Sequence, residues 1–68
     1  MIDSDKIKGR MRELRITQAV VAKHLGIEQP TANQKINNIR PLFLEEAEKL
    51  SDLLKIEPKD FGKYFFKH

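Results

Sequence analysis

The sequence contains no cysteine and no tryptophan, and it has only three glycines and three prolines in 68 residues. Without cysteine there is no disulfide framework, no thiolate zinc site and no cysteine nucleophile. The longest apolar runs are three or four residues, whereas a membrane-spanning helix needs roughly 20, and no signal peptide is recognisable. We therefore expect one small soluble intracellular domain, residues 1–68, near the lower size limit for folding without disulfides or metals.

Patterns for catalysis and metal binding are also missing. Neither His24 nor His68 has a Cys, His or carboxylate partner at ligand spacing, so we expect no metal site. There is no Ser-His-Asp set, no glycine-rich phosphate loop and no carboxylate pair in a cleft, and so short a chain can hardly enclose a substrate pocket. The sequence therefore predicts a protein that is not an enzyme and uses no cofactor and no small-molecule substrate.

Acidic residues are scarce in one part of the chain. The net charge is +3, and residues 16–40 carry three basic residues against a single acidic one. Residues 1–15 hold five basic and three acidic residues, while residues 41–68 hold five basic and six acidic ones. An anion-binding face is therefore expected within the first forty residues. The basic residues of the first segment are expected to be mostly solvated, with one or two near phosphate: Lys6, Lys8, Arg10, Arg12 and Arg15.

Apolar residues recur at helical spacing in five short segments, and no strand-like alternation persists. Ser4 is the expected N-cap of a first helix that ends near Arg15, and Thr17 is the expected N-cap of a second helix over residues 18–25. Gly26 suits the left-handed residue that ends the second helix. The expected inward residues are Ile7, Met11 and Leu14; Val21, Ala22 and Leu25; Ala32 and Ile36; Leu44, Ala47, Leu50 and Leu54; and Phe61 with Phe65.

Prolines mark the starts and ends of the remaining helices. Pro30 fits the first turn of a third helix, and Pro41 lies in the loop that follows it. A fourth helix is expected from Leu44 to about Lys55, and Pro58 can open a short fifth one. The predicted fold class is therefore all-α, with five short helices.

The most informative stretch is the second and third helices, at about residues 17–37. A turn with Gly26 joins them, and the small residue Ala22 lies where the third helix must cross closely. This is the helix-turn-helix arrangement, in which the later helix of the pair can enter the major groove of DNA. The polar residues expected to face outward from the third helix are Gln29, Thr31, Asn33, Gln34 and Lys35; the alternative is an ordinary solvated helix face.

Residues 7–62 resemble the Cro/CI-type (XRE-like) helix-turn-helix regulators of temperate phages and bacteria, whose domain is lambda-repressor-like. The motifs that carry the resemblance are Thr17-Gln18, the pair Ala22 and Gly26, Gln29-Pro30-Thr31, Asn37, Arg40-Pro41 and the run Leu44 to Ala47.

The resemblance implies a protein that binds duplex operator DNA in the bacterial cytoplasm, usually as a dimer on a palindromic site. Gln18 would contact a backbone phosphate, and Asn38 with Arg40 would do so from the exit loop. Gln29 and Thr31 would enter the major groove first, where a glutamine can form two hydrogen bonds with adenine. Asn33 and Gln34 would be further base readers.

The sequence departs from the family pattern at four positions. Glu28 replaces a frequent Ser or Thr and places a negative charge where DNA would repel it, and Asn38 replaces a frequent Gly while remaining able to adopt the left-handed conformation. Ile39 replaces a frequent basic residue, and Phe43 replaces a capping Thr. With Leu42, the two apolar replacements suggest a protein-contact patch, although Leu42 or Phe43 could instead pack on the core.

Four of the five aromatic residues lie in a C-terminal tail of about residues 61–68. Phe61 and Phe65 suit the core, whereas Tyr64 and Phe66 would point elsewhere and suit a dimer or partner contact. The alternative is a frayed chain end.

Two functions from different classes remain open. The first is a Cro-like operator-binding regulator of a phage lysis–lysogeny switch, which reads DNA with the helix that starts near Gln29. The second is an antirepressor that keeps this fold but binds a CI-type repressor through Glu28 and the apolar residues. An antitoxin-like switch component is a third alternative.

Overall fold

The structure is a computed structural model, and it describes residues 1–67. His68, which ends the expected aromatic tail and is one of the two histidines considered above, lies outside the described residues. Within residues 1–67 the chain forms five α-helices and one short 3₁₀ turn: α1 (Ser4–Leu14), α2 (Gln18–Leu25), α3 (Gln29–Ile36), α4 (Leu44–Leu53), the 3₁₀ turn Pro58–Asp60 and α5 (Phe61–Phe65). The all-α prediction is confirmed.

The cap of α1 lies one residue earlier than the sequence analysis predicts. The N-cap is Asp3, whose carboxylate accepts a hydrogen bond of 3.1 Å from the backbone N–H of Lys6. Ser4 is already helical, so its prediction as the N-cap is wrong. Asp and Ser have similar capping strength, so composition alone does not decide between neighbours. The helix ends at Arg15 in the left-handed conformation, with φ of 57°.

Local sequence determines both ends of α2. The hydroxyl of Thr17 accepts a 3.3 Å hydrogen bond from the N–H of Val20. Gly26 follows the helix with φ of 71°, and its N–H together with that of Ile27 reaches back to the carbonyls of Lys23 and Ala22. The left-handed glycine turns the chain toward α3, so the angle between the two helices depends on it.

The start of α4 differs from the expected pattern. Phe43 is the N-cap and has no side chain able to cap, but its N–H donates to Glu46 Oε1 at 3.0 Å. Leu44, expected to face inward, is 63% exposed and lines a surface groove of about 560 Å³ with Ile56 and Phe61. The inward prediction for Leu44 is wrong because this first residue of α4 lies outside the core, which the helix first meets at Ala47.

The end of the chain folds back on itself. A 3₁₀ turn begins at Pro58 and leads directly into α5. The rings of Phe61 and Phe65 stack with centroids 4.6 Å apart, which confirms that they share a face, and Phe65 is buried. Phe66 lies with its ring centroid 5.8 Å from that of Phe61 and is 58% exposed.

One cluster of apolar side chains forms the core, and it draws on all five helices and on the N-terminal segment. α2 packs against both α3 and α4, so the helix-turn-helix pair rests on α4. None of the helices within residues 1–67 is long and apolar enough to cross a membrane. The buried apolar residues are Ile2, Ile7, Met11, Val21, Ala22, Leu25, Ala32, Ile36, Ala47, Leu50, Leu54 and Phe65.

Candidate nucleic-acid interface

Four of the predicted DNA-contact residues meet at one surface groove of about 590 Å³ between the start of α2 and the outer side of α3. We call this the α2–α3 groove. It is lined by Gln18, Gln29, Pro30, Asn33, Gln34 and Ile39. Apart from Pro30 and Ile39 its side chains are amides, which donate and accept hydrogen bonds and so can read base edges.

A side-chain hydrogen bond crosses this groove. Asn33 Nδ2 on α3 donates to Gln18 Oε1 on α2 at 2.7 Å. Asn37 Nδ2 then donates to the backbone oxygen of Asn33 at 2.8 Å. The amide of Gln18 is thereby held against the face of α3 that is available for base contact.

Three predicted DNA-contact residues lie away from the α2–α3 groove. Thr31 is half-buried on α3 and does not line it, while Asn38 and Arg40 line a second groove on the other side of Ile39. Asn38 has a φ of 61°, so it adopts the left-handed conformation that asparagine is expected to allow at this position. Its side chain accepts from the N–H of Ile2 and donates to the carbonyl of Ile2, both at 3.0 Å. These bonds tie the exit loop to the start of the chain.

Lys35 does not face outward, so that prediction is wrong. It is only 7% exposed, and its ammonium lies 2.6 Å from Glu46 Oε1 on α4. The ring of Phe43 covers it, with the nitrogen 4.4 Å from the ring centroid. The carboxylate of Glu46 and the π face of Phe43 both attract the cation, which explains why it folds inward.

Glu28 is the N-cap of α3, but its side chain makes no capping hydrogen bond and is exposed. No ion pair of this carboxylate occurs within residues 1–67. Its charge therefore faces solvent at the N-terminal end of α3, next to Gln29.

The second groove, of about 420 Å³, brings together three of the predicted partner-contact residues: Ile39, Leu42 and Phe66. We call it the exit groove. Ile39 is 69% exposed and belongs to both grooves, whereas Leu42 is half-buried against the core. Phe43 and Tyr64 do not line it, because Phe43 covers Lys35 and Tyr64 packs partly on the core.

Two of the basic residues in α1 have structural partners. Arg10 Nε donates to the carbonyl of Leu54 at 2.8 Å, at the C-terminal end of α4, where cations are favoured. Lys8 Nζ donates to Asn37 Oδ1 just after α3. Only the remaining basic residues of this segment fit the expectation of solvated charges.

Two features of the site are absent from the sequence predictions: the place of Ile39 at the α2–α3 groove and the link between Glu46 and Lys35. The sequence predicts Ile39 only as a partner contact, although it replaces a frequent basic residue three positions after the end of α3, which could have indicated the edge of a DNA-contact face. Glu46 belongs to the run Leu44 to Ala47 that carries the family resemblance, but its link to Lys35 gave no recognisable pattern, because the two residues are eleven positions apart on different helices. Within the described residues, no group of three His, Cys, Asp or Glu side chains could hold a metal ion.

Comparison with known proteins gives one family match. Residues 6–67 match the model of the Cro/C1-type HTH DNA-binding domain, a kind of domain that is typically non-enzymatic. No curated protein sequence matches the chain. Because the match covers nearly the whole chain and includes the two helices that form the α2–α3 groove, the chain belongs to the Cro/C1-type helix-turn-helix family and is a DNA-binding transcription regulator.

Proposed function

We propose that this chain is a Cro-like regulator of a phage lysis–lysogeny switch that reads operator DNA through the α2–α3 groove. The observation that carries the proposal is the convergence of Gln18, Gln29, Asn33 and Gln34 on that groove. Gln29 is the main candidate for base contact because it begins α3, and the N-terminal residues of a recognition helix contact bases. Gln18, at the first turn of α2, would set the register against a phosphate.

In this function the exit groove would serve as a dimer surface. Operators of this class are palindromic and are bound by dimers. Ile39 and Phe66 expose apolar surface around the exit groove, and Ile39 connects it to the α2–α3 groove. Asn38 and Arg40 line the same groove and remain candidates for phosphate contact at its edge. The side-chain amide of Asn38 exchanges two hydrogen bonds with Ile2, and its backbone N–H donates to the carbonyl of Lys35, so a phosphate contact would use the second hydrogen of its Nδ2.

Fluorescence anisotropy with duplex DNA, titrated in salt, tests the proposal. Unselected duplex should bind with a Kd of about 10⁻⁴–10⁻⁶ M at physiological salt and more tightly as salt falls. A preferred site can then be selected from random duplexes. Gln29→Ala should weaken binding to that site by about 1–3 kcal/mol while leaving unselected DNA nearly unaffected. An equal loss of affinity for the selected site and for unselected DNA would show that Gln29 does not read bases.

A second function, that of an antirepressor, has its own support in Glu28. Its carboxylate is exposed at the N-cap of α3, where it opposes DNA but suits the basic DNA-binding face of a CI-type repressor. Ile39 and Phe43, at 69% and 63% exposure, offer apolar contact area in the loop that follows α3. Glu28→Lys should abolish a complex with such a repressor; a complex that survives this charge reversal would speak against the antirepressor.

A further inference from the structure

The only charged residue of α3 is Lys35, and its charge is compensated inside the protein. Its side chain is 9% exposed and that of Glu46 is 14% exposed, with 2.6 Å between Nζ and Oε1. The same Oε1 atom accepts the N–H of Phe43 at 3.0 Å. The ring of Phe43 then closes over the ammonium. The outer face of α3 therefore presents amides without a cation.

The pairing of Lys35 affects DNA binding because a lysine next to DNA adds affinity that does not depend on the base sequence. Each phosphate that a cation neutralises releases counterions, and the gain does not depend on base sequence. Lys35 follows Gln34 of the α2–α3 groove in the sequence, and its flexible four-carbon stem would let a released ammonium leave Glu46 and turn toward a phosphate. Pairing with Glu46 withholds this contact.

We infer that Glu46 acts as an internal counter-ion that keeps Lys35 from binding phosphate and so limits affinity for DNA of any sequence. The inference rests on the proposed function, because it takes α3 as the helix that faces DNA. Recognition is thereby left to the amides of the groove, whose hydrogen bonds depend on the bases. Glu46 touches no DNA in this account and acts only through Lys35.

The test compares two variants that make the same change on the same helix. Glu46→Gln removes the charge that holds Lys35 and keeps an acceptor oxygen for the N–H of Phe43. Glu48→Gln is the matched control, because Glu48 is exposed on α4 and its loss changes the net charge equally. Both are titrated in salt against one unselected duplex of about 20 base pairs, at a temperature where circular dichroism shows each variant folded.

We expect Glu46→Gln to show a steeper salt dependence than Glu48→Gln, by about 0.9 in the slope of log affinity against log salt. Over a dilution from about 200 to about 50 mM salt, this amounts to a roughly three-fold larger gain in affinity. A purely structural role for the Lys35–Glu46 pair predicts no such difference. Identical slopes for the two variants would overturn the inference.

The double variant Lys35→Gln with Glu46→Gln covers the case in which Glu46→Gln alone does not fold. It leaves no unpaired charge and keeps the net charge of the protein. Its salt slope should equal that of the wild type, because Lys35 makes no phosphate contact there; a slope shallower by about one would contradict the inference. If the wild type binds no duplex even at low salt, the proposed function itself fails and the inference falls with it.

Discussion

The side chains of Gln18 and Asn33 bridge the two helices of the helix-turn-helix pair at its surface, with 2.7 Å between Oε1 and Nδ2. A glutamine amide in this position is oriented before DNA arrives, because one of its polar atoms already has a partner. Its NH₂ group, which makes no bond in the bridge, is free to donate to a phosphate oxygen. The bridge thus couples a register contact to a base-reading side chain.

Coupling between these two amides is measurable in a double-mutant cycle. Gln18→Ala and Asn33→Ala should each weaken binding to a selected operator, and the double variant should cost about 1 kcal/mol less than the sum of the two. The exposed bridge itself adds little to folding, so the same cycle on unfolding free energy should give about 0.5 kcal/mol or less. If the two single losses in binding free energy add up to that of the double variant, the hydrogen bond does not orient Gln18 or Asn33 for DNA.

Glu28→Ser should increase both stability and DNA affinity. Serine can cap α3 where Glu28 makes no capping bond, which should add about 0.5–1 kcal/mol to the free energy of unfolding. Loss of the carboxylate also removes repulsion from phosphate, so unselected duplex should bind more tightly.

Glu57→Ser is the control for that change. Glu57 is also an exposed N-cap without a side-chain capping bond, but it precedes the 3₁₀ turn far along the chain from α3. Both variants change the net charge equally. A gain in DNA affinity that is the same for both would assign the effect to total charge rather than to the place of Glu28.

Two glycines should respond to alanine with opposite signs. A Cβ at either Gly26 or Gly9 would meet no atom within 4 Å, so crowding does not enter. Gly26 has a φ of +71°, and alanine there should cost about 1 kcal/mol in backbone strain. Gly9 lies inside α1, where alanine should add about 0.5–1 kcal/mol. Urea unfolding measures both, and a neutral result at Gly26 would mean that the turn relaxes.

Arg10 should matter for stability more than other basic residues of α1. Its guanidinium donates to the carbonyls of Leu54 and Lys55 where α4 ends. Arg10→Ala should lower the free energy of unfolding by about 1.5 kcal/mol, whereas Arg12→Ala, at an exposed site, should stay within about 0.5 kcal/mol. Equal losses in thermal unfolding would show that the Arg10 contact adds nothing beyond general helix charge.

The helices could be predicted from the sequence because their signals are local. Thr17 and Gly26 act on backbone groups within a few residues of themselves, so their roles follow from spacing alone. The placement of Lys35 could not be predicted, since its partner Glu46 comes from another helix. Leu44 satisfied the inward spacing of α4 and still lies exposed, because periodicity does not show where the core ends.

The sequence could predict which residue types form the candidate site, but not which of these residues lie together in one groove. Gln18 and Gln29 are eleven residues apart, and only the angle between α2 and α3 brings them to one groove. Thr31 lies away from the groove because it is two residues from both Gln29 and Asn33, on the opposite side of α3. Ile39 lies between two grooves because Asn38, in the left-handed conformation, turns the chain there. An asparagine can adopt this conformation, but its presence in the sequence does not require it.

The first and last residues of the described chain lie side by side. The N–H of Asp3 donates to the carbonyl of Tyr64 at 2.8 Å, and the N–H of Lys67 donates to the carbonyl of Met1 at 2.9 Å. A short flexible linker could join these neighbouring ends without stretching the fold. Circular permutants whose new ends lie in the exposed turn around Thr17 should therefore still fold. Fluorophores or a second copy of the chain could then be attached at these new ends.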